Sequence, residues 1–441
     1  MKQVLSNSNR NKLIIEATIR RFGPISRVQI HELTNVRKTT ISVLVRELLE
    51  EKRLLEVGKS NNPLGRKQVL LRINEGHGYV AGVEFDDERV VAGVLDLSPH
   101  ILYRICEPTN LQGGLDGLIQ QLRSCVRKVL LQAKVPVESL IGIGVADPGF
   151  VNSRLGITLT SSIIDFWKNV PLKRIFEEEF CVPTLVESRT RAKTIAERMH
   201  GAGEKVDNLI YVDYGTGIGA GIVTDGRLLY GQDCGAGELG HTHIVRGGPA
   251  CRCGSIGCLE AIASEGAIKS RMMKALSEGA HSQVLADGDP KGITVRAILS
   301  AANSGDKIAC NIVAEVAQYL GLALANLVNL FNPSDIVLDK TLEVAGNGLL
   351  HQIHQVIRRQ ALTSSSEHLA LRFGKIGEEC GLLGVALLVL EKHFEISAFR
   401  PPDFLTGPYR ISKGPGVPGY LGINGRTENG PVSDFGREAG S

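Results

Sequence analysis

No apolar stretch opens the chain: MKQVLSNSNRNK contains no run of apolar residues longer than two. That excludes a secretory signal and predicts a cytoplasmic protein. No segment reads as a membrane span either. The most apolar segments, 316–331 and 381–390, are shorter than the roughly 20 residues a bilayer demands, and Gln, Asn or Gly interrupt them. They are expected to be buried core helices, and no membrane partner is expected. Aspartate is missing from the first 75 residues, which hold 15 Lys and Arg against 7 Glu, a net +8. Because the whole chain carries only +3, the remaining residues carry −5. A basic block on a mildly acidic body points to nucleic acid at one end. An even set of cysteines is also lacking. There are nine, and Cys251, Cys253 and Cys258 fall within eight residues. In a chain read as cytoplasmic, such clustering favours a metal over disulfides.

Three regions follow. Residues 1–75 read as short helices and a hairpin. Residues 76–396 alternate strand-rich stretches (79–97, 140–151, 184–187 and 209–223) with helical ones, the pattern of an α/β architecture. Residues 397–441 hold 6 Pro and 9 Gly in 45 positions and are expected to form a mobile tail. Phe399, Phe404, Tyr409 and Tyr420 are the residues that would dock it.

In the basic block, Leu13, Ile14 and Ala17 begin an amphipathic helix. Ser26 and Gln29 have capping-box spacing, which predicts a second helix from Arg27 to about Thr34. A third follows the turn at Asn35-Val36. Its Ile41, Leu44, Val45, Leu48 and Leu49 recur at helical spacing and make one buried face. Arg37, Lys38, Thr39 and Ser42 then point outward, polar groups suited to base edges and phosphates in a major groove. Residues 54–57 and 68–73 flank GKSNNPLGRK, a hairpin carrying Lys59, Arg66 and Lys67, the composition of a wing on phosphates. The arrangement is a winged helix-turn-helix that binds duplex DNA as a homodimer or homotetramer. A helical protein-interaction module with a basic face is the alternative.

The segment GELGHTHIVRGGPACRCGSIGCLE supplies Cys251, Cys253 and Cys258 with either His241 or His243. One imidazole and three thiolates complete a tetrahedral set for Zn²⁺, leaving no position for water, so the site is expected to be structural. YVDYGTGIGAG, residues 211–221, reads as a strand and a Gly-rich turn that lets backbone N–H groups approach phosphate.

These features together resemble the ROK family, which contains sugar kinases and sugar-responsive repressors such as those for xylose and N-acetylglucosamine. The resemblance covers roughly residues 9–395. Its motifs are Gly65-Arg66 in the hairpin, Asp147-Pro148-Gly149, the loop from Gly215 to Gly219, Gly237-Glu238-Leu239-Gly240-His241, and Cys258-Leu259-Glu260. It implies a two-lobed actin-like ATPase fold with a central cleft. It also implies His241 rather than His243 as the fourth zinc ligand, and Glu238 and Glu260 on sugar hydroxyls.

The departures from the family's kinases are as informative. Their Asp-x-Gly-Gly-Thr phosphate loop is matched here by Glu84-Phe85-Asp86-Asp87-Glu88. Their Asn-Asp pair, whose Asp is the general base, is matched by Ser188-Arg189. Their late Gly-Gly is matched by Asp339-Lys340. A guanidinium cannot accept a proton at neutral pH, and a general base contributes roughly 10²–10⁴-fold. The expectation is therefore a transcriptional repressor of carbohydrate genes with a catalytically degenerate kinase-like domain that senses a ligand or holds an assembly, not an enzyme. A ligand-independent regulator and a residual sugar kinase are the rivals. Ser188 and Arg189 head a helix whose buried face is expected at Ala192, Ile195, Ala196 and Met199. A cation at a helix N-terminus is unfavourable without an anion. Either a sugar phosphate or sugar acid meets Arg189, or an internal carboxylate such as Glu187, Glu238 or one of residues 84–88 does.

Overall fold

The computed structural model describes residues 7–60, 67–285 and 292–394. The basic end folds as three helices and a small sheet: α1 Asn7–Phe22, β1 Ile25–Ser26, α2 Arg27–Thr34, α3 Lys38–Glu50, β2 Leu54–Lys59 and β3 Val69–Ile73. The capping box forms: Ser26 Oγ accepts from the Gln29 N–H at 3.3 Å, and Gln29 Oε1 accepts from the Ser26 N–H at 2.9 Å. Asn35, left-handed at φ 55°, ends α2 and turns the chain into α3. In α1 the fully buried residues are Ile15 and Ile19, with Ile14 beside them, whereas Leu13 and Ala17 are only half-buried. The buried stripe is thus displaced from the expected one, because α1 meets α3 and β3 along its Ile15–Ile19 edge.

The first lobe contains β4 Tyr79–Phe85, β5 Arg89–Asp96, β6 Ile101–Pro108, α4 Gly114–Ala133, β7 Leu140–Asp147, the hairpin β8 Phe150–Asn152 and β9 Ile157–Thr160, α5 Leu172–Phe180, β10 Thr184–Ser188 and α6 Arg189–His200. The second contains β11 Leu209–Tyr214, β12 Ile218–Thr224, β13 Arg227–Leu228, α7 Leu259–Ala263, α8 Glu265–Ser277, α9 Val295–Asn303, α10 Lys307–Phe331, β14 Asp335–Leu338, α11 Asn347–Gln360, α12 Thr363–Ser366 and β15 Ala370–Phe373. The chain then returns to the first lobe as α13 Cys380–His393.

The two main sheets have one topology. Their orders are β6-β5-β4-β7-β10 and β13-β12-β11-β14-β15, three antiparallel strands continued by two parallel ones. This duplicated plan is the actin-like arrangement, with the cleft between the lobes. Helix α10 is long and apolar enough to cross a bilayer by composition alone. It instead packs its Ala, Leu and Val face into the second lobe's core.

Two features place the cleft relative to the basic end. First, α6 and α13 touch so closely that a Cβ on Gly384 would lie 1.9 Å from the Ala192 carbonyl oxygen. The buried positions of α6 are accordingly Arg191, Ala192, Thr194, Ala196 and Glu197, while Ile195 and Met199 are half-buried. The expected apolar stripe is replaced by small residues facing α13 and charges that bind backbone. Glu197 accepts from the N–H groups of Ala202 and Ile376, each at 2.7 Å. Second, Leu382, Ala386, Val389, Leu390 and Phe394 share one continuous core with Ile15, Ile19, Ile41 and Leu48. Arg20 reinforces the junction with two hydrogen bonds to Glu391 Oε1, at 2.8 and 2.9 Å, and lies over the Phe394 ring.

Candidate functional site

At the basic end, Arg37, Lys38, Thr39 and Ser42 are all exposed at the start of α3, opposite the buried Ile41, Leu44, Val45 and Leu48. Ser42 donates its hydroxyl to the Lys38 carbonyl at 2.9 Å, so toward a partner it offers lone pairs only. Val43 and Arg46 share this outward face. Neither was singled out from the sequence, although the same helical period that marks the core also marks its opposite. Lys59 and Lys67 are exposed on the hairpin, and Arg66 lies outside the described residues. Among the described residues, no carboxylate pairs with Arg37, Lys38, Arg46, Lys59 or Lys67. Five of the module's seven glutamates, Glu16, Glu47, Glu51, Glu56 and Glu75, are engaged instead by Lys12, Arg27, Arg53 and Arg72, while Glu32 and Glu50 are exposed. The basic charge left on this side is therefore free to meet phosphate.

In the second lobe, one short loop gathers His241, Cys251, Cys253 and Cys258, with their ligating atoms all within 4.8 Å of one another. The Cys251 Sγ to His241 Nδ1 distance is 3.7 Å and that between Cys253 Sγ and Cys258 Sγ is 3.8 Å. Zn–S bonds of about 2.3 Å at tetrahedral angles require sulfurs about 3.8 Å apart, so the donor set fits zinc in both chemistry and spacing. His243 is turned away, its Nδ1 2.9 Å from the Ile256 carbonyl oxygen. Glu260 follows two residues after Cys258 in α7, which fixes it relative to the cluster.

The cleft holds a cavity of about 700 Å³ whose walls include Ser188, Arg189, Glu238 and Glu260. Glu260 Oε2 accepts from the Ile218 N–H at 3.3 Å, while the buried Oε1 has no partner. An unsatisfied buried carboxylate oxygen is costly. Glu238 opens onto the same space from the turn before Leu239. Ser188 caps α6, its Oγ accepting from the Arg191 N–H at 3.3 Å.

Arg189 is not an unpaired cation. Its Nη1 lies 3.0 Å from Asp86 Oδ2 and its Nε 3.2 Å from Asp213 Oδ2. The internal alternative is the arrangement found, with Asp213 a partner not named from the sequence. Lys193, one turn on, extends the chain of charges to Asp213 at 2.8 Å and Asp339 at 3.0 Å. Tyr211 donates to Asp339 at 2.8 Å. Burial disfavours the charges of Arg189 and Lys193, but their carboxylate partners outweigh it and hold both pKa values above the ordinary range. Burial likewise opposes the Asp213 charge, yet Arg189 and Lys193 hold its pKa below the usual carboxylate value. Glu84, fully enclosed, is pushed up by burial and accepts from the Leu382 N–H in α13.

Asp86 comes from the first lobe and Asp213 and Asp339 from the second, so α6 ties the lobes through ion pairs. Thr216, in the glycine turn between β11 and β12, approaches Asp87 at 3.4 Å. Three carboxylates therefore face two cations where a phosphate would need the reverse balance.

The ROK family model matches residues 80–392. The xylose repressor of Caldicellulosiruptor bescii is 30% identical over 382 residues, which span 86% of this chain and 95% of the repressor. A glucokinase of Halalkalibacterium halodurans is 33% identical over 316 residues, 71% of this chain and 96% of the kinase. Among solved structures, a ROK family transcriptional regulator homologous to the E. coli MLC protein superposes with a TM-score of 0.75 at 27% identity, covering 88% of this chain and 96% of that one. The doubled sheet, the cysteine loop beside Glu260 and a family match across both lobes lead to one assignment: the chain belongs to the ROK family.

Proposed function

We propose that the protein is a DNA-binding repressor of sugar-metabolism genes whose kinase-like domain senses a sugar without phosphorylating it. The observation that carries this reading is the pairing of two features in one chain. One is a helix-turn-helix with exposed, unpaired cations. The other is a cleft whose phosphate region is filled by Asp86, Arg189, Asp213, Lys193 and Asp339. The repressor's alignment also runs longer than the glucokinase's, 382 residues against 316.

Duplex operator DNA is bound by a homodimer or homotetramer, on a pseudo-palindrome with half-sites about one helical turn or a multiple apart. Anisotropy titrations across salt test this. Lys38→Ala and Arg66→Ala should each weaken binding across sequences and reduce the salt slope by about 1. Failure of the full-length protein to bind any duplex at low salt overturns the reading.

The effector is a sugar held through its hydroxyls. Glu260 Oε1 lacks a donor, and Glu238 lines the same cavity. Because Asp86 and Asp213 already neutralise Arg189, the reading favours a neutral sugar over a sugar phosphate or sugar acid. Calorimetry against the three classes decides. Binding only of charged ligands, lost in Arg189→Ala, reverses that preference. Zinc in the loop of His241, Cys251, Cys253 and Cys258 holds Glu260 in place and takes no part in chemistry.

With ATP and a panel of hexoses, the protein should give no turnover. Arg189→Asp alone should not restore any, because the carboxylates of Asp86, Asp87 and Glu88 and the Asp339-Lys340 pair still oppose a nucleotide. Turnover by the wild type that disappears when Gly217 is substituted would instead establish a kinase.

A further inference from the structure

Resting on the DNA-binding reading above, we infer that Val43 reads a thymine methyl group in the major groove and so helps set the operator sequence. With about 100° per residue in a helix, the buried Ile41, Leu44, Val45 and Leu48 place the centre of the opposite face at Thr39, Val43 and Arg46, with the exposed Glu50 closing it in the last position of the helix. Val43 is 49% exposed and belongs to no apolar cluster of the described residues. A β-branched residue on a helix surface lowers helix propensity, and here no burial within the chain offsets that. Its neighbours on the face are a hydroxyl, Thr39, one turn before, and a guanidinium, Arg46, one turn after, both without a carboxylate partner among the described residues.

An isopropyl group has no donor or acceptor, so it distinguishes base pairs only by apolar contact. On the major-groove edges, the C5 methyl of thymine is the group that offers such contact. The β-carbons of residues four apart on a helix lie about 5–6 Å from each other. The methyls of Thr39 and Val43 therefore reach neighbouring base pairs, while Arg46 has the geometry for a guanine edge or a phosphate. Exposed cations of the same module, Lys38 on the helix and Lys59 and Lys67 on the hairpin, favour DNA over a protein as the occupant of this face.

The test removes one methyl at a time. Duplexes are first selected by the full-length protein from a random library. Each thymine in a half-site is then replaced by deoxyuridine, which keeps every hydrogen bond. Burial of one methyl corresponds to about a 4-fold change in affinity. One T→U position per half-site should weaken the wild type by about that factor. Val43→Ala, a helix-favourable change on an exposed site that withdraws two of the three apolar carbons, should bring the T/U ratio down toward 1. Lys38→Ala should bind more weakly overall with the T/U ratio intact. A wild-type ratio near 1 at every position, or a ratio that persists in Val43→Ala, overturns the assignment while leaving DNA binding standing. If Val43→Ala instead alters only self-association, the face is a contact between copies and the assignment falls. Absence of any duplex binding removes both readings together.

Discussion

Arg189→Ala should destabilise the folded protein by about 3–5 kcal/mol, the cost of stranding buried charges by deleting one partner of an ion pair. The side chain is nearly enclosed, with two carboxylates on it at 3.0 and 3.2 Å. Its removal leaves Asp86 without a counter-ion and leaves Lys193 alone between Asp213 and Asp339. Urea unfolding at neutral pH reads the loss. The pH dependence then gives the sign. In the wild type the Asp213 pKa lies below its unfolded value. Its contribution is therefore present above the ordinary aspartate value and is lost only as pH falls through the lowered one. In Arg189→Ala, burial without that guanidinium raises the Asp213 pKa relative to wild type. The stability gap between variant and wild type should accordingly narrow in acid. Replacing the set by neutral groups, Arg189→Met with Asp86→Asn and Asp213→Asn, should recover most of the loss. An unchanged midpoint in Arg189→Ala would mean that the ion pairs do not hold the lobes.

Cys253→Ser should abolish a stoichiometric metal, taking bound zinc from one per chain to none by elemental analysis. Structural zinc supplies on the order of 10 kcal/mol in small peptides. In a loop already anchored at Leu259 and by the short bridges Ala250–Ile256 and His243–Cys258, the effect should be smaller. Its reach extends into the cleft nonetheless. Cys258 is the N-cap residue of α7 and Glu260 is its second residue, so freeing the loop frees the carboxylate whose Oε1 has no partner. Sugar affinity measured by calorimetry should fall in parallel with zinc content. A metal-free wild type that is fully folded and binds sugar normally would defeat this account.

Local chemistry was the legible part of the chain. The Ser26–Gln29 capping box and the apolar face of α3 are short-range patterns, and the structure has both, with Ile41, Leu44, Val45 and Leu48 buried and Leu49 half-buried at the edge. His241 could be told from His243 only through resemblance, because either reaches the cysteines in sequence distance. What decides between them is a backbone bend that sends His243 toward Ile256. The partner of Arg189 was legible as a class, an internal carboxylate, but not as Asp213. In sequence Asp213 is one residue of the strand-like Tyr-Val-Asp-Tyr, and only the apposition of β11 and α6 brings it near. The buried face of α6 differs from the expected apolar stripe for a related reason. A helix wheel weighs Ile195 and Met199 by hydrophobicity, whereas contact with α13 demands small residues such as Ala192 and Ala196.

The placement of α13 has a mechanical consequence. Its first turn lies against the cleft, where Leu382 donates to Glu84 and the Cys380 thiol reaches the Lys193 carbonyl. Its last turn is clasped by Arg20. Fourteen helical residues make a strut about 21 Å long, and the same apolar core runs along it into the reading head. There is no slack joint between sensor and head among the described residues. A rotation of the first lobe against the second thus cannot be absorbed by a linker, and must reappear as a displacement of α3. Head and first lobe form one lever, and the cleft is its hinge line, so the angle between the lobes is written directly into the attitude of α3.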